Sequence, residues 1–544
     1  MTNTQSSPRH PERSEGSPAN STDLTLETIP PLTFFWLFIL LHTLLWTLGP
    51  LLTRSSLPHD TLESITWGMQ WQQGYNKHPF LAAWLNAGIS KWFNAVEWPV
   101  YLLAQLAVST TFIATWQLAG KLLPPINAII AALVLDGVLY YNINSFNITP
   151  DSLQSPLWAL LVLFLYQALT TQYIRYWLLT GLMTALCIMT KYQIVMLLFP
   201  VTLFCLINKK ARASFFKPGL YSAIGLILLL VYPHFMWLWQ HDFVTVRYAL
   251  GAPYNDTHHL SHITCLLRYL TNCIAYTAGL FLLLWPFYRT KRSETTLTEF
   301  DWQFLLFAGL GPCLLTALFC LVNGDNIPVR WLTPYFFLLG IIMMARLKPN
   351  VSSRQLKQFL VTLVMSSLIL WGARTGTTAL HLRVNSDAYL PNKAIASKLT
   401  ELWEQRYSTP LSYLGGAHYL VGATIPYFAN KPIPYFSLDP KENLWLSEQD
   451  LIKHGGLFVW DDGVNYFWDG YSPKFETLPE TVKQRFPNLI RLGTYTFYRA
   501  TPTKLPVTIG VAVLPPKDCN AKRPSVKFTR KNNALPGAIQ KLKN

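Results

Sequence analysis

Residues 32–52 read LTFFWLFILLHTLLWTLGPLL, and contain one histidine but no Lys, Arg, Asp or Glu. An apolar run of this length is what a helix needs to cross the hydrocarbon core of a bilayer, roughly 20 residues at 1.5 Å each. The rest of the chain repeats the theme. It has 544 residues, of which 51% are hydrophobic and only 13% charged, about half the charge of an ordinary soluble domain. Further apolar runs fall at 97–117, 125–142, 155–174, 177–190, 191–207, 219–239, 263–288, 302–322, 329–346 and 357–374, which makes about 11 spans. The 20 Trp and 26 Tyr suit the many membrane–water boundaries such a bundle creates. The expected fold is mainly α, a polytopic transmembrane bundle.

Charge in the short loops sets the orientation. With the N-terminus in the cytoplasm, the cytoplasmic loops hold 13 Lys and Arg, from Lys121 to Lys357. The opposite loops hold only Arg54, Lys77, Lys91, Lys191, Arg247 and Arg330. This is the positive-inside asymmetry, and an odd number of spans then leaves everything after residue 374 outside.

Four further segments complete the layout. Residues 1–31 are rich in Ser, Thr, Pro and Glu, without the basic-then-apolar order of a signal peptide, and read as a disordered cytoplasmic leader. The first external loop, 53–96, carries two amphipathic stretches, around Leu62, Ile65 and Met69 and over Phe80–Leu85, expected as helices lying in the interface. Residues 375–516 alternate helix-like stretches such as Lys393–Arg406 with short apolar runs at Leu411–Leu414, Gly456–Trp460 and Leu489–Tyr498, the pattern of a small α/β domain. Residues 517–544 carry eight Lys and Arg against one Asp, a solvated basic tail and not a nucleic-acid arm. Six of the seven cysteines lie in apolar runs and Cys519 in a soluble stretch. No CxxC motif or disulfide framework is present.

The ionisable residues gather on one side of this layout. Asp60 and Glu63 stand three residues apart just outside the first span, on one face of a helix. A carboxylate there is placed to accept a proton from an acceptor hydroxyl; equally, Asp60 has the character of a helix cap. Asp151, in Asn147-Ile148-Thr149-Pro150-Asp151, opens a span on the same side, again as a cap or as part of a shared polar site. Lys77 and His78, Lys191 and Tyr192, Arg247 and Arg330 all lie at that boundary. Such groups either anchor spans by snorkelling or clamp a phosphate with charge-assisted hydrogen bonds. Asp136 and His42 are intramembrane ionisable residues, and His42 is expected to bond a neighbouring helix. The chain has no P-loop, HExxH or GxSxG motif, so ATP-driven, zinc-protease and serine-hydrolase chemistry lacks a basis.

Taken together, these motifs resemble the polytopic glycosyltransferases of family 39. Leu57-Pro58-His59-Asp60-Thr61-Leu62-Glu63 through Trp67-Gly68 and Trp71 is similar to the family's first-loop acidic motif. Gly74-Tyr75-Asn76-Lys77-His78-Pro79-Phe80 with Trp84 resembles its Gly-Tyr-Tyr-Lys-His-Pro-Pro run, Phe80 replacing the second proline. Thr149-Pro150-Asp151-Ser152 with Pro156, Thr190-Lys191-Tyr192, and Pro233, Trp237 and His241 fit further family patterns. Arg330-Trp331 with Pro334 stands where the family often has His-Trp. Trp445 and Gly455–Trp460 resemble the extracytoplasmic domain of one bacterial branch. The resemblance implies the type-C glycosyltransferase fold in a bacterial inner membrane, a polyprenyl-phosphate sugar donor, inversion at the anomeric carbon, and Asp60 as the catalytic aspartate. The acceptor it implies is an envelope component: lipid A, another glycan or protein. Lys77, His78, Lys191, Tyr192, Arg247 and Arg330 would hold the donor phosphate, with Glu63 and Asp151 assisting Asp60. No cofactor and no obligatory metal is implied, and a divalent ion is left open. A transporter or flippase of a lipid-linked sugar would share the basic pocket, and a polysaccharide polymerase or ligase is a third reading.

Overall fold

Helix α1, Pro31–Thr53, starts with proline in its first turn, where a missing N–H costs nothing. The computed structural model containing it describes residues 30–251, 262–292, 297–324, 327–439, 442–461 and 480–518. Residues 1–29, Cys519 and the basic tail from 519 onward lie outside the described residues. Among those described, seven helical segments are long and apolar enough to span a bilayer. They are α1, α4 (Trp98–Leu122), α6 (Pro150–Thr171), α10 (Pro218–Gln240), α12 (His262–Leu283), the stretch from α13 (Glu299–Leu305) to α14 (Gly311–Asn323), and α16 (Ser353–Ala379). Between α13 and α14 the helix widens into one π-turn at Leu306–Leu310. An eighth is reached only if two segments bent by 95° count as one span: Tyr192–Ile207, which contains α8 (Val195–Ile207), and Lys209–Phe216, which begins with α9 (Lys209–Arg212).

The remaining apolar runs form short or broken helices. The run 177–190 is α7, Ile174–Ile188. The run 125–142 is not one helix: α5 (Pro125–Leu133) tightens into two 3-10 turns, Val134–Gly137 and Leu139–Tyr141. Asn142 breaks the ladder by donating its side-chain N–H to the Asp136 carbonyl at 2.5 Å. Gly137 meets Gly279 so closely that a Cβ on it would lie 2.3 Å from the Gly279 carbonyl carbon. The run 329–346 likewise splits into a 3-10 turn, Val329–Leu332, and α15, Leu339–Leu347, because Pro334 has no N–H to give.

A polar contact locks the interior of the bundle. His42 of α1 reaches Asp136 at 3.1 Å, and Ser367 of α16 donates to the other Asp136 oxygen. All three side chains are buried. His42 thus lies against a neighbouring segment, without a hydrogen bond from its Nε2.

At one end of the bundle stand α2 (His59–Gly68) and α3 (Leu81–Trp92). Both are helices as expected, but α2 does not lie in an interface. Every residue from Thr61 to Gly68 is buried, because α18 (His418–Thr424) covers the face that α3 does not. Thr66 donates to the Gly422 carbonyl at 2.9 Å. A Cβ on Gly68 would lie 2.0 Å from the Ala83 carbonyl, so only glycine allows this α2–α3 approach.

Helix α18 belongs to the α/β portion. After α17 (Asn392–Glu404) come five strands: β1 (Tyr413–Gly416), β2 (Ile433–Phe436), β3 (Gly456–Asp461), β4 (Ile490–Tyr498) and β5 (Pro506–Leu514), in the order β2-β1-β3-β5-β4. Strands β2, β1 and β3 are parallel, and β5 and β4 add antiparallel. Strands β2 and β5 are additional to the three apolar runs read from the sequence. Arg54, at the end of α1, ties this portion to the bundle through an ion pair with Asp387 at 2.8 Å.

Candidate functional site

The site forms where α2, the loop 69–80, the start of α6, the α7–α8 turn and the segment around Arg330 meet. Asp60 occupies the first turn of α2, but the cap position is Pro58 and makes no side-chain cap bond. Capping therefore does not account for Asp60. Its side chain is open at the surface and, among the described residues, forms no hydrogen bond or ion pair. Even so, the protein packed around it and the negative charge of Glu63 raise its pKa above the ordinary aspartate value, while Arg330 and Lys77 pull the other way.

Glu63 does not orient Asp60. It is 5% exposed and faces the α/β portion. Lys77 donates to its Oε1 at 2.8 Å, and His418 bonds the same oxygen. Burial opposes ionisation of Glu63, yet Lys77 and His418 hold its carboxyl well below the usual range. Lys77 is raised in turn: burial works against its charge and Glu63 outweighs it. Its ammonium also lies 5.5 Å from the Trp67 ring centroid.

The loop 69–80 is held by backbone contacts from three helices. Trp84 donates to the Gln72 carbonyl at 2.9 Å, the His234 ring meets the Gln73 carbonyl at 2.6 Å, and Thr245 donates to the Tyr75 carbonyl at 2.5 Å. Gly74 passes over Trp237, where a Cβ would meet the ring at 2.5 Å. In this loop His78 is a neutral ring and not a cation, since burial with Lys191 and Lys77 beside it pushes it down to about 3. Its ring lies 6.1 Å from Tyr248, on α11 (Val244–Gly251).

A second acid–base pair stands beside the first. Asp151 is not the cap of α6; Thr149 is, in a reciprocal capping box with Ser152. Asp151 is thereby left for Lys191, which donates to Oδ1, and for Arg330, 3.9 Å from Oδ2. Lys191 lies 4.5 Å above the Trp331 ring, and Gln154 fixes its carbonyl at 3.2 Å. The Arg330 side chain is 67% exposed and feels both Asp151 and Asp60, which links the second pair to Asp60.

The other expected residues are more distant. The Tyr192 hydroxyl bonds His234 at 2.7 Å, so it braces the loop from behind. Arg247 is exposed on α11 and forms no ion pair among the described residues. His241 stacks on Trp237 at 4.3 Å. His418, Glu442 and Tyr419 are additions from the α/β portion. His418 Nδ1 faces Glu442 Oε2 at 3.3 Å, and Tyr419 senses Lys77, Glu63 and Asp60. The signal that marks His418 in the sequence is Gly415-Gly416-Ala417 after an apolar run, a strand ending in a turn. No cluster of three or more metal-ligating side chains exists among the described residues.

The family model described as dolichyl-phosphate-mannose-protein mannosyltransferase matches residues 77–237, which include Lys77, His78, Asp151, Lys191 and Tyr192. Among solved structures, the chain is similar to ArnT from Cupriavidus metallidurans bound to undecaprenyl phosphate. The identity is 12% and the TM-score 0.58, over 88% of this chain and 98% of that one. The same protein in the apo state gives 12% and 0.56, over 89% and 98%. No curated protein matches the chain in sequence. Residues 77–237 thus match that family model, and the chain shares its fold with ArnT along most of its length.

Proposed function

We propose that this protein moves a sugar, with inversion, from a polyprenyl-phosphate-linked donor to an envelope acceptor at the non-cytoplasmic face of a bacterial inner membrane. The observation that carries the reading is an unpartnered carboxylate, Asp60, beside three cations, Lys77, Lys191 and Arg330, at one end of an apolar bundle. ArnT, whose fold this chain shares, is described bound to undecaprenyl phosphate. The loop-charge asymmetry supports the orientation.

In this reading Asp60 accepts the proton of an acceptor hydroxyl as its oxygen attacks the anomeric carbon. The bond from that carbon to the phosphate oxygen breaks, and the lipid phosphate leaves with the electron pair. Its raised pKa makes Asp60 a better base than an ordinary aspartate. Lys77 and Lys191 each keep N–H groups beyond the one given to a carboxylate, and with Arg330 they stabilise the charge gathering on the phosphate. His78 adds a neutral hydrogen-bonding ring. Glu63 keeps Lys77 charged and aimed, and Asp151 aims Lys191 and offsets part of the burial that lowers its pKa.

The acceptor class, whether lipid A, another glycan or protein, and the hexose or pentose nature of the sugar are decided by experiment. Purified protein in detergent is given a polyprenyl-phosphate sugar and each acceptor in turn, and the anomeric configuration of the product is read by NMR. Retention of configuration, or transport of the intact lipid-linked sugar without transfer, would refute the proposal.

A further inference from the structure

His418 owes its position to the turn that ends β1. Gly416 has φ +138°, and a Cβ there would lie 1.8 Å from the Val459 carbonyl oxygen, so no other residue fits. The chain leaves the strand there, Ala417 donates to that same carbonyl at 3.0 Å, and His418 opens α18. Strand β1 lies between β2 and β3, where connections depart to either side and the carboxyl ends of parallel strands leave a crevice. Helix α2 packs on α18 and presents Glu63 to His418.

His418 is 7% exposed and lies between two carboxylates, Glu63 at Nε2 and Glu442 at Nδ1. A neutral imidazole has one N–H and would turn a lone pair on one of these oxygens; an imidazolium donates to both. The charged and titratable groups facing it are Glu63 from α2, Lys77 from the loop and Glu442 from the segment after β2, with Tyr419 beside it. Strand β2 and helix α2 otherwise offer Phe436 and Trp67. Lys77 Nζ is 3.5 Å from His418 Nε2, and both cations bond one oxygen of Glu63.

We infer that His418 is a positioning residue of the transfer site: the α/β portion, through this imidazolium, clamps Glu63 and so sets where Lys77 stands for the donor phosphate. The inference rests on the function proposed above. It makes the α/β portion a working part of the site, and it makes donor binding sensitive to pH. Burial opposes the charge on His418, but Glu63 and Glu442 raise its pKa above the ordinary histidine value. The clamp is therefore complete at low pH and is lost as pH rises through that raised value.

The test uses the full chain in detergent and undecaprenyl phosphate as the probe, over about pH 5.5–9. Wild-type binding should weaken about tenfold as His418 deprotonates, a typical worth for one charge-assisted hydrogen bond. His418→Gln should bind weakly at every pH, with no alkaline fall. Glu442→Gln should keep the fall and move its midpoint to lower pH. Identical pH curves for wild type and His418→Gln, or an unmoved midpoint in Glu442→Gln, would overturn the inference. If the wild type binds no lipid phosphate at any pH, the proposed function fails, and hydrogen exchange of the α2 amides decides the clamp. Alkaline loosening in wild type but not in His418→Gln upholds it, and matching traces reject it.

Discussion

Two of the polar clusters among the described residues of this largely apolar protein differ in kind. In the bundle interior, Asp136 accepts a hydrogen bond from Ser367 and lies 3.1 Å from His42, which brings together α1, the turn after α5, and α16. At the end of the bundle, Glu63 and Asp151 are satisfied by Lys77, His418 and Lys191, but Asp60 is left over. A polar group in an apolar setting is costly unless paired. On the proposed function, the interior cluster is a fastening, and the unpaired carboxylate at the open end is where a substrate would supply the missing partner. An ionisable residue within a span is a functional candidate by default; Asp136 is enclosed by the bundle, whereas Asp60 is exposed and forms no hydrogen bond or ion pair among the described residues.

The sharpest way to break this contrast is Asp60→Asn, which keeps the shape and removes the basicity. Transfer to a hydroxyl acceptor should fall by about 10²–10⁴-fold while undecaprenyl phosphate still binds; near-normal turnover would pass the role to Asp151. Next comes Lys191→Ala, expected to weaken donor binding by about 1.5–3 kcal/mol, read from the donor KM. Unchanged donor kinetics there would reduce Lys191 to a partner of Asp151. The interior cluster should answer differently. Asp136→Ala should lower the unfolding free energy in detergent by about 1–3 kcal/mol per polar group left unpaired, with turnover per folded molecule unchanged. A specific loss of turnover would place Asp136 in the chemistry after all.

Smaller effects sharpen the picture at the open end. The raised pKa of Asp60 means that its base form is lost, as pH falls, at a higher pH than for an ordinary aspartate. The acid limb of kcat/KM should lie there. Arg330→Gln removes a cation that lowers this pKa, so the limb should move further up; a downward move would show that Arg330 does not act on Asp60. The smallest expected effect is that of Arg247→Ala. With no ion pair holding it to the cluster, its loss should leave the donor KM within about twofold, the scale of a solvated surface charge. A tenfold rise would return Arg247 to the phosphate site.

Much of this arrangement was legible before any coordinates, for reasons that differ from element to element. The long spans follow from unbroken apolar runs, since a helix in a bilayer must satisfy its own backbone. The runs 125–142 and 329–346 misled because hydropathy does not register a broken ladder. Gly137 against Gly279, Asn142 on its own chain and Pro334 are local events inside apolar composition. Helix α2 was legible as a helix but not as a buried one, because its amphipathic face fits a lipid surface and a protein surface equally well. Strand β2, Ile433–Phe436, is four residues with a proline among them, below what a strand pattern can carry.

The sequence by itself determined the membrane bundle and the side on which the acids and bases collect, since composition and order along the chain carry those properties; Asp60 as the candidate base came from the family resemblance. Only the tertiary structure decided which acid is spoken for. Glu63 and Asp60 are one helical turn apart and chemically alike, and their difference lies in His418, 355 residues further along the chain, and in Lys77 across a loop. Coulomb attraction falls off over a few ångströms through protein and water, so the partner that sets a carboxylate's role is the one packed beside it in space, and spacing along the chain carries no record of that.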